Sequence, residues 1–134
     1  MNIDQKLQLV DNKVIHWMRR VSVPFGRGSL FLVFFWFGIL KVIGTSPANP
    51  LVESLLGSMT PWITFEIFIV VFGIFEMVVG MLFLFKGGER LAIFLLALHM
   101  VTTFLPLVIL PEIAWQGFLT PTIEGQYIIK NLVF

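Results

Sequence analysis

The sequence predicts an all-α integral membrane protein: three apolar helices and a shorter fourth, preceded by an N-terminal amphipathic helix. Three observations carry that prediction. Apolar residues make up 57% of the 134 positions and charged residues only 13%, with mean hydropathy +0.94, whereas soluble domains carry about a quarter charged residues. Three apolar runs, bounded by glycine, proline or charge, approach or exceed the roughly 20 residues that cross a bilayer. Ahead of them, apolar residues recur at helical spacing among charged ones.

Residues 1–22 read as the amphipathic segment. Ile3, Leu7, Val10, Val14, Trp17, Met18 and Val21 fall on one stripe, with Asp4, Lys6, Asp11, Lys13, His16, Arg19 and Arg20 around the rest. Such a helix is expected to lie in the membrane interface, or else to pack on the end of the bundle. Ser22, Pro24 and Gly26 are expected to end it. No apolar h-region precedes it, so a cleavable signal is not expected.

The membrane-spanning part is expected over 23–134. Its first span, about 28–43, is short and ends at Gly44 and Pro47. The second, 62–85, and the third, 91–110, are joined by Gly87-Gly88 with Glu89 and Arg90. So tight a turn makes them antiparallel neighbours. A fourth helix starts at Glu124 and its 11 residues to Phe134 rise only about 16 Å, so it is either short or truncated. Connection 44–61 holds Pro47, Pro50 and Pro61 around a short helix expected near Leu51–Leu56, lying on the membrane. Connection 111–123 reads as a structured loop, with Trp62 and Trp115 at one membrane face.

Basic residues set the expected orientation. Lys6, Lys13, Arg19, Arg20 and Arg27 precede the first span, and Lys86 and Arg90 flank the Gly87-Gly88 turn. The other two connections carry no Lys or Arg. The positive-inside rule therefore puts the N-terminus and that turn in the cytoplasm, with loops 44–61 and 111–123 outside.

Function is expected at the ionisable residues within the apolar runs, where a charge costs roughly 2.5–3.5 kcal/mol or more. Glu76 and His99 sit at mirrored positions about Gly87-Gly88. Glu66, Gly73, Glu76 and Gly80 share about 80° of one helix face, and Ala92, His99, Thr102, Thr103 and Pro106 make a similar stripe on the next. The two stripes are expected to meet, bringing Glu76 near His99 as a proton-exchanging pair. Lys41, Glu66 and Lys130, with Gln126 and Tyr127, are expected to form a second polar layer nearer the outside and to bind a ligand headgroup. Thr102 and Thr103 either join that ligand site or bond their own helix backbone. The alternative for the whole set is helix packing alone, since interhelical hydrogen bonds in membranes average only about 0.6 kcal/mol.

Several chemistries have no carrier. The chain has no cysteine, which excludes dithiol–disulfide exchange and thiolate metal sites. It has no helical His-x₃-His pair for a metal, no phosphate loop and no nucleophile elbow, and no basic–aromatic surface for nucleic acid.

The segments RGSLFLVFFWFGILKV (27–42), Glu66–Lys86, LALHMVTTFLPL (96–107) and EGQYIIKNLV (124–133) resemble the DoxX-like family of small membrane proteins, over about residues 20–134. Gly38 and Lys41 are similar to that family's G-x-x-K-type element, and its polar residue in the second helix maps to Glu66 or Glu76. The resemblance implies a transmembrane four-helix bundle in the bacterial inner membrane and a link to redox chemistry. A redox-linked subunit binding a quinone, a quinone-like ligand or a lipid between its helices is then expected, with membrane or soluble redox partner subunits. The alternative is a non-enzymatic assembly subunit. The short fourth helix departs from the family pattern.

Overall fold

A computed structural model describes residues 2–134. The first element, α1, runs unbroken from Ile3 to Val42, straight through the proline expected to break it. Pro24 removes one backbone hydrogen bond and its ring crowds the carbonyl four residues earlier, a cost of about 3 kcal/mol. Helix on both sides outweighs it. The expected boundary at 22–26 is therefore a weak point inside one helix.

Residues 2–25 are exposed throughout, so this half of α1 is not packed on the bundle end. It projects about 30 Å beyond the bundle at 1.5 Å per residue. From Gly26 onward α1 packs antiparallel on α3 (Phe65–Leu82). Glycines set the approach. A Cβ built at Gly38 would stand 2.6 Å from the Gly73 carbonyl oxygen, and one at Gly73 would stand 2.7 Å from that of Gly38. No side chain fits there, so the backbones touch.

The end of α1 has a defined cause. Gly44 has φ +77°, its N–H bonds the Lys41 carbonyl at 3.1 Å, and the Thr45 N–H bonds that of Leu40 at 2.9 Å. This is a Schellman stop, which glycine favours because it alone enters the left-handed region without strain. A loop follows in which Ser46 is buried, and then α2 (Asn49–Met59), in the connection where a short helix is expected.

The tight turn joins α3 to α4 (Glu89–Phe104), with Gly87 at φ +93°. Arg27 of α1 clamps it. Its guanidinium donates to the carbonyls of Phe83 at 2.7 Å and Phe85 at 3.0 Å and pairs with Glu89 at 2.7 Å. Pro106 divides the third apolar run into α4 and a single turn, α5 (Pro106–Ile109).

The structured loop that follows contains α6 (Pro111–Ala114) and a small hairpin, β1 (Trp115–Gly117) with β2 (Thr120–Pro121), a minor strand element in an otherwise helical chain. Thr122 then caps α7 (Ile123–Lys130), accepting from the Gly125 N–H at 3.1 Å and donating to the Ile113 carbonyl at 2.6 Å. A 3-10 turn, Asn131–Val133, continues α7.

Phe34, Val79, Phe83, Ala92 and Leu96 form the core toward the Gly87 turn. Ile67, Val71, Phe94, Leu98 and Val101 face outward. Only 28% of the apolar window in α3 and 22% of that in α4–α5 is buried inside the protein. Three helices, α1, α3 and α4–α5, are long and apolar enough to cross a membrane, and lipid covers such faces at no hydrophobic cost.

Candidate functional site

Three helices each bring one ionisable side chain to one point. Lys41 comes from the last turn of α1, Glu76 from the middle of α3, and His99 from the middle of α4. They are 6%, 4% and 6% exposed. Lys41 Nζ donates to Glu76 Oε2 at 2.6 Å, a short charge-assisted bond. His99 Nε2 stands 3.3 Å from the other carboxylate oxygen, Oε1, which is long for a hydrogen bond.

Aromatic rings enclose the cluster. Phe72 lies under the Lys41 ammonium at 5.6 Å and beside the His99 ring at 5.2 Å, while Phe34 meets that ring edge-on at 5.5 Å. The ammonium thus faces a carboxylate on one side and a π face on another, the partners a buried cation needs. The hydroxyls of Thr102 and Thr103 donate to the His99 carbonyl at 2.7 and 2.9 Å. Both hydroxyls thus bond their own helix backbone; the carbonyl that Pro106 leaves without its i+4 donor is that of Thr102, which accepts from the Leu105 N–H at 3.4 Å. His99 Nδ1 is buried and, among the described residues, has no hydrogen-bond partner. With hydrogen on Nε2, Nδ1 is an acceptor, and an unmatched acceptor in an apolar interior carries a desolvation cost of about 1–3 kcal/mol.

Beside the cluster lies a partly open cavity of about 820 Å³. Lys41, Glu76 and His99 line it, as do Phe34 and Phe72. Leu51, Val52 and Leu55 of α2 form another wall, and α7 contributes Tyr127, Ile128 and Lys130. Its lining is mainly apolar with a few polar groups, the usual character of a small-molecule site.

The expected residues thus divide. Glu76 and His99 meet. Lys41 joins them, and not Glu66 and Lys130 as expected. The reason lies in the helix ends. A Cβ at Gly73 would touch the Lys41 Cβ, at 2.9 Å, so α1 stops level with Gly73. That level is about 12 Å along α3 from Phe65. The Lys41 stem reaches one further turn to Glu76. Glu66 stands beyond the end of α1, exposed in the first turn of α3.

Lys130 is exposed at the cavity mouth over the Tyr127 ring at 5.4 Å, and Gln126 points to the exterior. Among the described residues, neither Glu66 nor Lys130 makes an ion pair. The Arg27 clamp on the turn, the Phe34 and Phe72 enclosure and the α2 wall of the cavity lie outside the set of residues expected at the site. The sequence signals for them are an arginine entering a glycine-rich helix contact and the aromatic run Phe34–Phe37.

No family model, curated protein or solved structure matches this chain.

Proposed function

We propose that this is a DoxX-like inner-membrane protein that binds a quinone-like ligand in the 820 Å³ cavity and exchanges a proton with it at His99. The observation that carries this is the buried, unpartnered Nδ1 of His99, a residue that lines a mainly apolar cavity together with Lys41, Glu76, Thr102 and Thr103. Aromatic side chains in the lining, among them Phe37, Phe68 and Phe72, offer surfaces for a flat ring. A ligand hydroxyl donating to Nδ1 satisfies the orphan acceptor. As that proton moves to Nδ1, the Nε2 proton passes to Glu76 Oε1, 3.3 Å away, and catalytic contacts of this length commonly tighten when ligand binds. Lys41 keeps its hydrogen bond to the other carboxylate oxygen, Oε2, throughout. In this direction the ligand is a quinol: each proton it gives up accompanies one electron passing to a redox partner subunit in the same membrane, and reduction of the quinone runs the same transfers in reverse. The distribution of basic residues supports a cytoplasmic N-terminus and Gly87 turn, which puts the cavity in the outer half of the bilayer. Tyr127 and Lys130 line its mouth, within reach of a polar headgroup.

Titrating the detergent-purified protein with a short-chain quinone, followed by tryptophan fluorescence, tests this. Saturable quenching that is lost in His99→Ala and weakened about ten-fold or more in Glu76→Gln supports the reading. Equal binding by all three proteins contradicts it.

One observation favours the assembly-subunit reading: the Lys41–Glu76 pair at 2.6 Å is complete within the protein. Under it, both substitutions lower thermal stability, and any redox phenotype follows protein abundance alone.

A further inference from the structure

The projecting half of α1 carries a pattern that the site does not use. Ile3, Leu7, Val10, Val14, Trp17 and Val21 are spaced 4-3-4-3-4. All six are exposed, from 37% at Val21 to 77% at Ile3. That is a 3.5-residue repeat over three heptads, the seam of a coiled coil, with Leu9, Ile15 and Met18, also apolar and exposed, lying off it. The next seam positions are Pro24 and Gly28, so the pattern stops just where Arg27 ties α1 to the turn of its own bundle.

The flanks of the seam are charged with opposite signs. One flank has Lys6, Lys13 and Arg20, and the other has Asp4, Asp11 and Met18. Two parallel helices in register set each cationic flank against the acidic flank of the partner. Lys6 of one copy then meets Asp11 of the other, and the symmetric pair repeats it. An antiparallel pair sets the cationic flanks against each other and the acidic ones likewise. The charge pattern therefore selects the parallel arrangement. The membrane selects it too, because copies inserted with one topology in one bilayer project these helices from the same face in the same direction.

We infer that the projecting half of α1, Ile3–Val21, pairs with the same segment of a second copy as a parallel coiled coil standing off the membrane. Three heptads are marginal for an isolated helix pair in water. Anchoring both chains in one membrane raises their effective concentration and offsets that shortness. The inference is independent of what the cavity binds.

The absence of native cysteine makes the test clean. The full chain is reconstituted in vesicles with a single cysteine either on the seam (Val14→Cys) or on the outer face (Asn12→Cys), and is then mildly oxidised. The expected result is a disulfide-linked dimer for V14C and little for N12C. Adding Lys6→Glu to V14C should reduce the dimer roughly five-fold through two repulsive pairs. Adding Asp11→Lys to that variant should restore it, which mere loss of folding would not do. Equal cross-linking of V14C and N12C would overturn the inference. So would a V14C that stays monomeric while lipid shields it from water-soluble alkylating reagents, which would mean that the seam lies on the membrane.

Discussion

At the scale of single residues, Glu76 governs the interior, because it alone contacts both other members of the cluster. Removing one partner of a buried pair leaves an uncompensated charge, at about 3–5 kcal/mol. Glu76→Ala should therefore lower the unfolding free energy in detergent by that order, and Lys41→Met by less, since His99 Nε2 remains beside the carboxylate. The double variant Lys41→Met/Glu76→Leu should recover most of the loss, as a double-mutant cycle would show. The nearness of Glu76 to His99 was legible because equal residue counts from a tight turn bring antiparallel helices to equal depth. The place of Lys41 was not. Its depth follows from where α1 stops, and the glycine that stops it does so 12 Å or so inside the span of α3, a level that hydropathy does not mark.

At the scale of elements, glycine does opposite things at different sites. Gly38→Ala or Gly73→Ala drives a methyl into a backbone carbonyl, so α1 and α3 must separate, at about 1–3 kcal/mol. Gly57 of α2 has nothing within 4 Å of a built Cβ, and Gly57→Ala should stabilise by about 0.5–1 kcal/mol. Thermal unfolding of the three variants checks both signs. Pro24 marks the weakest turn of α1, and Pro24→Ala should slow amide hydrogen exchange over residues 20–28. The expectation that Ser22, Pro24 and Gly26 end the helix is not met: one lost hydrogen bond does not end a helix that continues well on both sides. Glu66 is the converse case. It shares a helix face with Glu76, yet α1 has ended before reaching its level, so the same face is covered at one residue and open at the other.

At the scale of the whole molecule, the outward apolar surface of the long helices, with the ionisable side chains Lys41, Glu76 and His99 gathered inside, defines a protein organised for lipid. Leu98 faces outward on α4, and Leu98→Asp puts a carboxylate against hydrocarbon, at roughly 2.5–3.5 kcal/mol by insertion scales. The membrane-integrated fraction on carbonate extraction should fall. Leu9, equally apolar but on the projecting half of α1, should tolerate Leu9→Asp with integration unchanged. The spans were legible because lipid-facing helices are apolar nearly all round. The cavity was not, because its walls come from α2 and α7, elements whose positions depend on the Gly44 stop and on Thr122 bonding back to Ile113.

On the proposed function, the cavity beside Lys41, Glu76 and His99 holds a quinone-like ligand. Native mass spectrometry of the protein released from membranes tests it most directly. The prediction is an adduct of quinone mass on the wild-type chain that is absent from His99→Ala of equal thermal stability. A wild-type spectrum free of any adduct, or the same adduct undiminished on His99→Ala, would contradict it.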